Sequence, residues 1–307
     1  MSTEYTYAAA YVKSLEAKML TDSDFLKMLD YNISELAEFL RGRDYSGENL
    51  WEMLENERSK DWQLCFDLCD GDDMLDVLMS ENDFHNIKAV IKAVLSGNNW
   101  HELVFEPSGI DCQSLEAAVK NNSFQSIDER YSQICLEAFE LYKNRGGQAM
   151  EIYLDKSRYE RLLLESEKNS FVYGWAQRKV AVANLKIFFA GSDVPGLIEN
   201  ALIKGSMIDT DSLAVGKASK ETVLTDMGYL KEYQLYEKSP TRLEKYFDDS
   251  VMEYLKNAQT EFFEFAPILG YFEGKKTELV NIRLIAYGRK SGMEKEKIAE
   301  RLRKAYV

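Results

Sequence analysis

Histidine, cysteine and proline are scarce in this 307-residue chain, and each shortage removes a class of function. With only His85 and His101 there is no His-Glu-x-x-His zinc motif and no base for a nucleophilic dyad, so any acid–base chemistry would fall to carboxylates. Cys65, Cys69, Cys112 and Cys135 are too few for a disulfide framework and suit a reducing cytoplasm. Cys65 and Cys69 share a helix face, but only two histidines are at hand to complete a zinc site, so buried, inert thiols are the expectation. Four prolines (Pro107, Pro195, Pro240, Pro267) and 17 glycines leave long stretches unpunctuated in a chain rich in Leu, Glu, Lys and Ala, so long helices and few or no strands are expected.

Long apolar runs are missing too. The most apolar stretch, "VAVANLKIFFAG", is broken by Asn184 and Lys186 and falls far short of the roughly 20 residues that cross a bilayer, so no direct membrane span is expected. The start, "MSTEYTYAAAYVKSLEAKML", lacks the basic and apolar regions of a secretory signal. Positive charge is in deficit: the formal net charge of −14 argues against nucleic acid and against an anionic lipid surface, both of which need a dense basic footprint. Residues 275–304 are the exception, with ten Lys and Arg against four acids. That run reads as a solvated helix face or as a docking surface for an acidic partner.

Reactive motifs are equally absent. "GRKSG" at 288–292 has its glycines and lysine in the wrong order for a phosphate loop, and there is no Gly-x-Ser-x-Gly elbow. Asp67, Asp70, Asp72, Asp73 and Asp76 form an acidic cluster that fails the calcium-loop spacing and reads as a solvated turn. Asp248 and Asp249 read as surface charge, because no sugar-binding context surrounds them. The residues thus supply no candidate catalytic, cofactor-binding or metal-ligating site, and no cofactor is expected.

The chain does contain a repeat. "FHNIKAVIKAVLSG" (84–97), "VANLKIFFAG" (182–191) and "LVNIRLIAYGRKSG" (279–292) share Asn, an aliphatic residue and a basic residue, at Asn86, Asn184 and Asn281, spaced by 98 and 97. A second register agrees: Ile110, Asp111, Ser114 and Leu115 recur as Ile208, Asp209, Ser212 and Leu213, again 98 apart. Around each Asn the apolar residues fall at helical spacing: Ile87, Ile91, Val94; Leu185, Phe188, Phe189; Leu279, Ile282, Ala286. Gly97, Gly191, Gly288 and Gly292 read as left-handed helix stops. A polar Asn on an otherwise buried helix is expected to satisfy backbone or polar groups at a helix crossing, with direct partner contact as the alternative.

Caps mark further helices: Asp22 or Ser23 before Phe25, Ser34 before Leu36, and Ser239 with Pro240 at the first helical position. Gly146-Gly147 separates two more. The expected architecture is all-α, in three similar units at 1–119, 120–217 and 218–307. Three copies close most simply into a pseudo-threefold body, with a linear stack left open.

The residues that carry the repeat also carry a resemblance. "YAAAYVKSLEAKMLTDSDF", "IYLDKSRYERLL" (152–163) and the ending "PILGYFEGKKTELVNIRLIAYGRKSGMEKEKIAERLRKAYV" resemble, in order and over nearly the whole length, the C subunit of the prokaryotic V-type (A-type) rotary ATPases, the relative of the eukaryotic d subunit. The resemblance implies a three-domain, funnel-shaped body with pseudo-threefold symmetry that catalyses nothing. It implies a seat on the cytoplasmic face of the membrane rotor ring and a socket for the central shaft of the head, tying ATP turnover to proton or sodium passage. Its implied partners are the shaft and ring subunits. Lys88, Lys186 and Arg283, at matching repeat positions, together with Arg289 and Lys290, are the candidate partner contacts, each with a snorkelling or supporting role as the alternative. A free cytoplasmic helical-repeat adaptor is the competing reading.

Overall fold

The computed structural model describes residues 5–69, 71–191, 200–208, 210–214, 225, 239–261 and 264–307, and among the described residues there is no strand. The fold is all-α. The chain opens with α1 (Thr6–Glu16), α2 (Asp22–Met28), α3 (Ile33–Arg41) and α4 (Leu50–Leu68). It continues through α5 (Met74–Ser96), α6 (Cys112–Asn121), α7 (Glu129–Arg145), α8 (Gly147–Ser166) and α9 (Ser170–Gly191). The last elements are α10 (Thr210–Ala214), α11 (Pro240–Leu255), a 3-10 turn (Lys256–Thr260), α12 (Ala266–Lys290) and α13 (Lys295–Ala299).

Capping chemistry sets several helix starts and corrects two expectations. Thr21, not Asp22 or Ser23, caps α2: its hydroxyl accepts from the Asp24 amide at 3.2 Å, and the Asp24 carboxylate accepts from the Thr21 amide at 3.1 Å. Asn32, not Ser34, caps α3 through the same reciprocal box with Glu35. The box needs a carboxylate three residues after the cap, and of these residues only Thr21 and Asn32 have one at that distance. Ser239 and Pro240 open α11 as expected. Gly97, at φ 71°, ends α5 in the left-handed region, and Gly292, at φ 73°, follows α12. Gly191 is the last residue of α9. Gly288 is not a stop: it lies inside α12, where an added Cβ would sit 2.7 Å from Ile298, so its small size serves packing.

Two compact units result, Met1–Asp72 with Ala218–Val307, and Asp73–Lys217. In the first, α12 is the axis and packs against every other described helix of that unit. Its face of Leu279, Ile282, Ile285 and Ala286 shares a core with Phe25, Leu36, Leu40 and Met53. A helix surrounded in this way has no wide polar face, and even its polar Lys275, Glu278 and Asn281 are buried. Gly274 lets the last residues approach closely, since an added Cβ would stand 2.6 Å from Tyr306 Cβ and 2.8 Å from Met19 Cε. Gly274→Ala is therefore expected to destabilise the protein by about 1–3 kcal/mol through overpacking. An unchanged urea midpoint would show that Tyr306 repacks without strain.

The first unit also buries charge. Lys275 Nζ lies 2.8 Å from Glu57 Oε1 and 2.6 Å from Glu278 Oε1, and 3.2 Å from the Tyr45 hydroxyl, which itself donates to Glu278. The other Glu278 oxygen accepts from the Leu20 amide at 2.6 Å. Lys275 thereby ties α4 and the α3–α4 connection to α12, and Glu278 ties the α1–α2 turn to it, although these segments lie over 200 residues from α12 in sequence.

In the second unit, Phe84, Ile87 and Ile91 of α5 share a core with Leu115 of α6, Tyr131 and Phe139 of α7, and Met150 and Leu154 of α8. Asp83 is buried within it, accepting from Ser108 Oγ and the Gly109 amide, both at 2.7 Å, and from the Tyr131 hydroxyl at 2.5 Å. Burial pushes the Asp83 carboxyl up, while those three bonds pull it back toward ionisation. All four cysteines are free and buried, and burial raises the Cys69 and Cys135 thiols to about 12.

Candidate protein-contact surface

The three repeated asparagines tie distant backbone to their helices. Asn86 Nδ2 donates to the Phe105 carbonyl at 2.9 Å, and Asn86 Oδ1 accepts from the Phe105 amide at 2.8 Å. Asn184 does the same with Ile203, at 2.8 and 2.9 Å. Asn281 does it with Arg303, at 2.7 and 2.9 Å. In all three places a fully buried carboxamide reads both backbone groups of one residue, 19, 19 or 22 positions downstream, and pins the returning chain to its helix. Only an amide side chain offers a donor and an acceptor side by side at this reach. The second register extends two residues further back than Ile110 and Ile208: Ser108 Oγ accepts from the Ile110 amide at 3.1 Å and Ser206 Oγ from the Ile208 amide at 3.2 Å. Asp209 and the Ser212 side chain lie outside the described residues.

The basic residues of the repeat separate. Lys88 pairs with Asp155 across α5 and α8, at 3.0 Å. Lys186 is half-buried on α9. Arg283, on α12, lies among exposed apolar groups. Val280 is 47% exposed and Tyr287 58% exposed, and the spacing of 280, 283 and 287 sets the three residues on one helix face. The Tyr287 ring lies against Trp51 of α4 with centroids 4.6 Å apart. Arg58 first, and Arg283 at longer range, hold the Glu55 carboxyl below its usual range. Trp, Tyr and Arg around an exposed aliphatic residue make the composition that dominates binding energy at protein interfaces.

Comparison with known proteins places the chain in a family. Residues 8–301 match the family described as ATP synthase (C/AC39) subunit. The chain belongs to that family. It is 25% identical to the A-type ATP synthase C subunit of Methanosphaera stadtmanae, over 97% of this chain and 87% of that one. It is 20% identical to the V-type sodium ATPase C subunit of Enterococcus hirae, over 99% of both. The A-type ATP synthase C subunit of Desulfurococcus sp. shares 23% identity over 97% and 90%. As a member, this protein is one subunit of a rotary ATPase, so other subunits are its partners. Among the described residues of this C/AC39 protein, no helix is long and apolar enough to cross a membrane.

Much of the basic run at 275–304 is used inside this C/AC39 protein. Lys295 pairs with Asp30, Lys297 with Glu294, Lys304 with Glu253, and Arg303 with Asp248. The latter carboxylate accepts from Arg303 Nε at 2.7 Å, and its neighbour Asp249 accepts from the Lys304 amide, also at 2.7 Å. The adjacent acids of α11 therefore hold the C-terminal segment. Arg289 is half-buried, with a Nε that has no hydrogen-bond partner, and Lys290 is exposed. The acidic cluster disperses likewise: Asp67 accepts from Gln63, Asp73 pairs with Lys168 and Asp76 with Arg130. Asp70 lies outside the described residues.

Sequence reasoning did not single out Trp51, Val280 or Tyr287. The signal was available for two of them: apolar residues at 280 and 287 fall off the core stripe of 279, 282 and 286, so a helix of amphipathic type would leave them outside.

Proposed function

We propose that this subunit is a non-catalytic coupler of its rotary ATPase: a socket, peripheral to the membrane on its cytoplasmic side, that links the rotating shaft of the head to the membrane rotor ring so that ATP turnover is tied to proton or sodium transport. The observation that carries this reading is family membership over residues 8–301. The residues fit a mechanical role. Torque passes only through a body that deforms little, and well-packed helices locked at Asn86, Asn184 and Asn281 supply stiffness. The three clamps also support three related units at 1–119, 120–217 and 218–307. Grip comes from the surface of Trp51, Val280, Arg283 and Tyr287, which takes an apolar partner face carrying an acid opposite Arg283.

The test is Arg283→Glu with Tyr287→Ala in the intact complex. Losing a central aromatic and reversing a charge is expected to cost about 2–4 kcal/mol of binding, a loss of affinity of roughly 30- to 1000-fold. ATP hydrolysis by the detached head should be unchanged while coupled ion transport falls with the occupancy of this subunit. Loss of hydrolysis by the head on removing the chain would overturn the non-catalytic reading. A chain that never copurifies with ring or shaft would support the free adaptor instead.

A further inference from the structure

The buried charges of the first unit do not balance. Three carboxyl groups, Glu57, Asp61 and Glu278, surround one buried ammonium, Lys275. Lys275 contacts Glu57 and Glu278 and makes no ion pair with Asp61. Glu57 is further balanced by Lys60 at 3.3 Å, and Glu278 by the Leu20 amide and the Tyr45 hydroxyl. Asp61 is 6% exposed, and its Oδ2 is buried with no hydrogen-bond partner. An ionised carboxylate with a bare, buried oxygen beside two other carboxylates is the costliest state this cluster can adopt.

We propose that Asp61 is a reversible proton-binding site whose proton sets how firmly the N-terminal helices are held to α12. The groups facing it are Glu57 and Cys65 from its own helix, Tyr271, Lys275 and Glu278 from α12, and Tyr45 from the α3–α4 connection. The cleft of about 270 Å³ that Asp61 lines carries three more cations, and each is committed elsewhere: Lys18 to Asp44, Arg43 to Asp24 and Lys60 to Glu57. The cleft opens to solvent, which provides the route for proton exchange. Burial chiefly, and then the charges of Glu57 and Glu278 against the opposing pull of Lys275, raise the Asp61 carboxyl to about 7.

When the proton leaves, Asp61 on α4 becomes a further buried negative charge facing Glu278 on α12, while Lys275 stays shared between Glu57 and Glu278. The repulsion acts between α4 and α12 at Glu278, whose other oxygen accepts from the Leu20 amide, so it loosens α4 and the Leu20 turn from α12 together. The device stands independently of the coupling role, since it rests on this cluster alone.

The direction follows from linkage. The folded protein holds a proton on Asp61 that the unfolded chain, with an ordinary aspartate, has released. Stability therefore falls as pH rises from about 4 to about 7 and levels off above. The experiment uses the full chain, wild type and Asp61→Asn, with two readouts: Asp-selective carboxyl-carbon NMR, and amide exchange at Leu20. The wild-type Asp61 resonance is expected to titrate with a midpoint between about 6 and 8. Leu20 protection, corrected for intrinsic exchange, is expected to drop at least about tenfold from about pH 6 to pH 8 in wild type and to stay flat in Asp61→Asn. A midpoint below about 5 overturns the proposal, as does the same loss of protection in both proteins. Should the variant fail to fold, the wild-type carboxyl titration decides alone.

Discussion

Asn281→Leu is expected to lower stability by about 2–6 kcal/mol, since it leaves one half-buried backbone amide and one half-buried carbonyl unpaired, at about 1–3 kcal/mol each. Leucine fills nearly the same volume, so the loss isolates the hydrogen bonds from the packing. Asn281 Nδ2 and Oδ1 bond the carbonyl and amide of Arg303, and Arg303 carries the ion pair to Asp248, so releasing the backbone there also loosens the C-terminal segment from α11. The measurement is the urea midpoint together with exchange of the Arg303 amide. Asn281→Asp keeps the acceptor but sets a carboxylate oxygen against the Arg303 carbonyl, and should lose the most stability at neutral pH and recover part of it on acidification. A leucine variant within about 1 kcal/mol of wild type would mean that water replaces the clamp at no cost.

The second large effect is at Lys275. Lys275→Met removes a buried ammonium whose side chain is 5% exposed and leaves Glu57, Asp61 and Glu278 facing one another. Stripping one partner from a buried ion pair costs about 3–5 kcal/mol, because the remaining charge keeps its desolvation penalty. The lysine's own acidity argues the same way: burial pulls its pKa down, and the three carboxylates more than reverse that, raising it. The loss should be greatest above neutral pH and shrink on acidification, since protonating a stranded carboxylate removes the repulsion. Adding Glu278→Gln to Lys275→Met should recover part of the stability. If the single variant loses the same amount at about pH 5 and about pH 8, the damage is steric and not electrostatic.

The two effects differ in how far the sequence announced them. Asn86, Asn184 and Asn281 stand out on a single reading, because a repeat of near-constant spacing exposes any residue that recurs. Their bonding partners do not: Phe105, Ile203 and Arg303 have nothing in common except a peptide group, which every residue carries. The charge cluster was invisible for another reason. Lys275 and Glu278 sit one turn apart and look like an ordinary surface pair, while Glu57 and Tyr45 are more than 200 residues away. Nothing local distinguishes a lysine that faces water from one enclosed by neighbouring helices.

The surface at Trp51 and Tyr287 lies between these cases. The helical period places 280 and 287 off the core stripe, but which outward residues meet Trp51 depends on how α4 crosses α12, and that angle follows from side-chain packing along both helices. The basic run shows the same limit. Its excess charge is plain from composition, yet Lys295, Lys297, Arg303 and Lys304 are turned onto acids of this same chain, leaving the exposed charge smaller than the count suggests.

By itself the amino-acid order determined the all-helical class, the recurring asparagines, the reciprocal box requirement at helix starts and the scarcity of reactive groups, since each of these depends on neighbours within a few turns or on a simple tally of residue types. Tertiary structure alone decided that α12 is enclosed, that Gly288 packs where a stop was expected, that Lys275 is buried among three carboxyls, and which backbone groups the asparagines hold. The physical reason is one of range: propensity and capping act along the chain, whereas burial and charge balance depend on segments brought together from opposite ends of it.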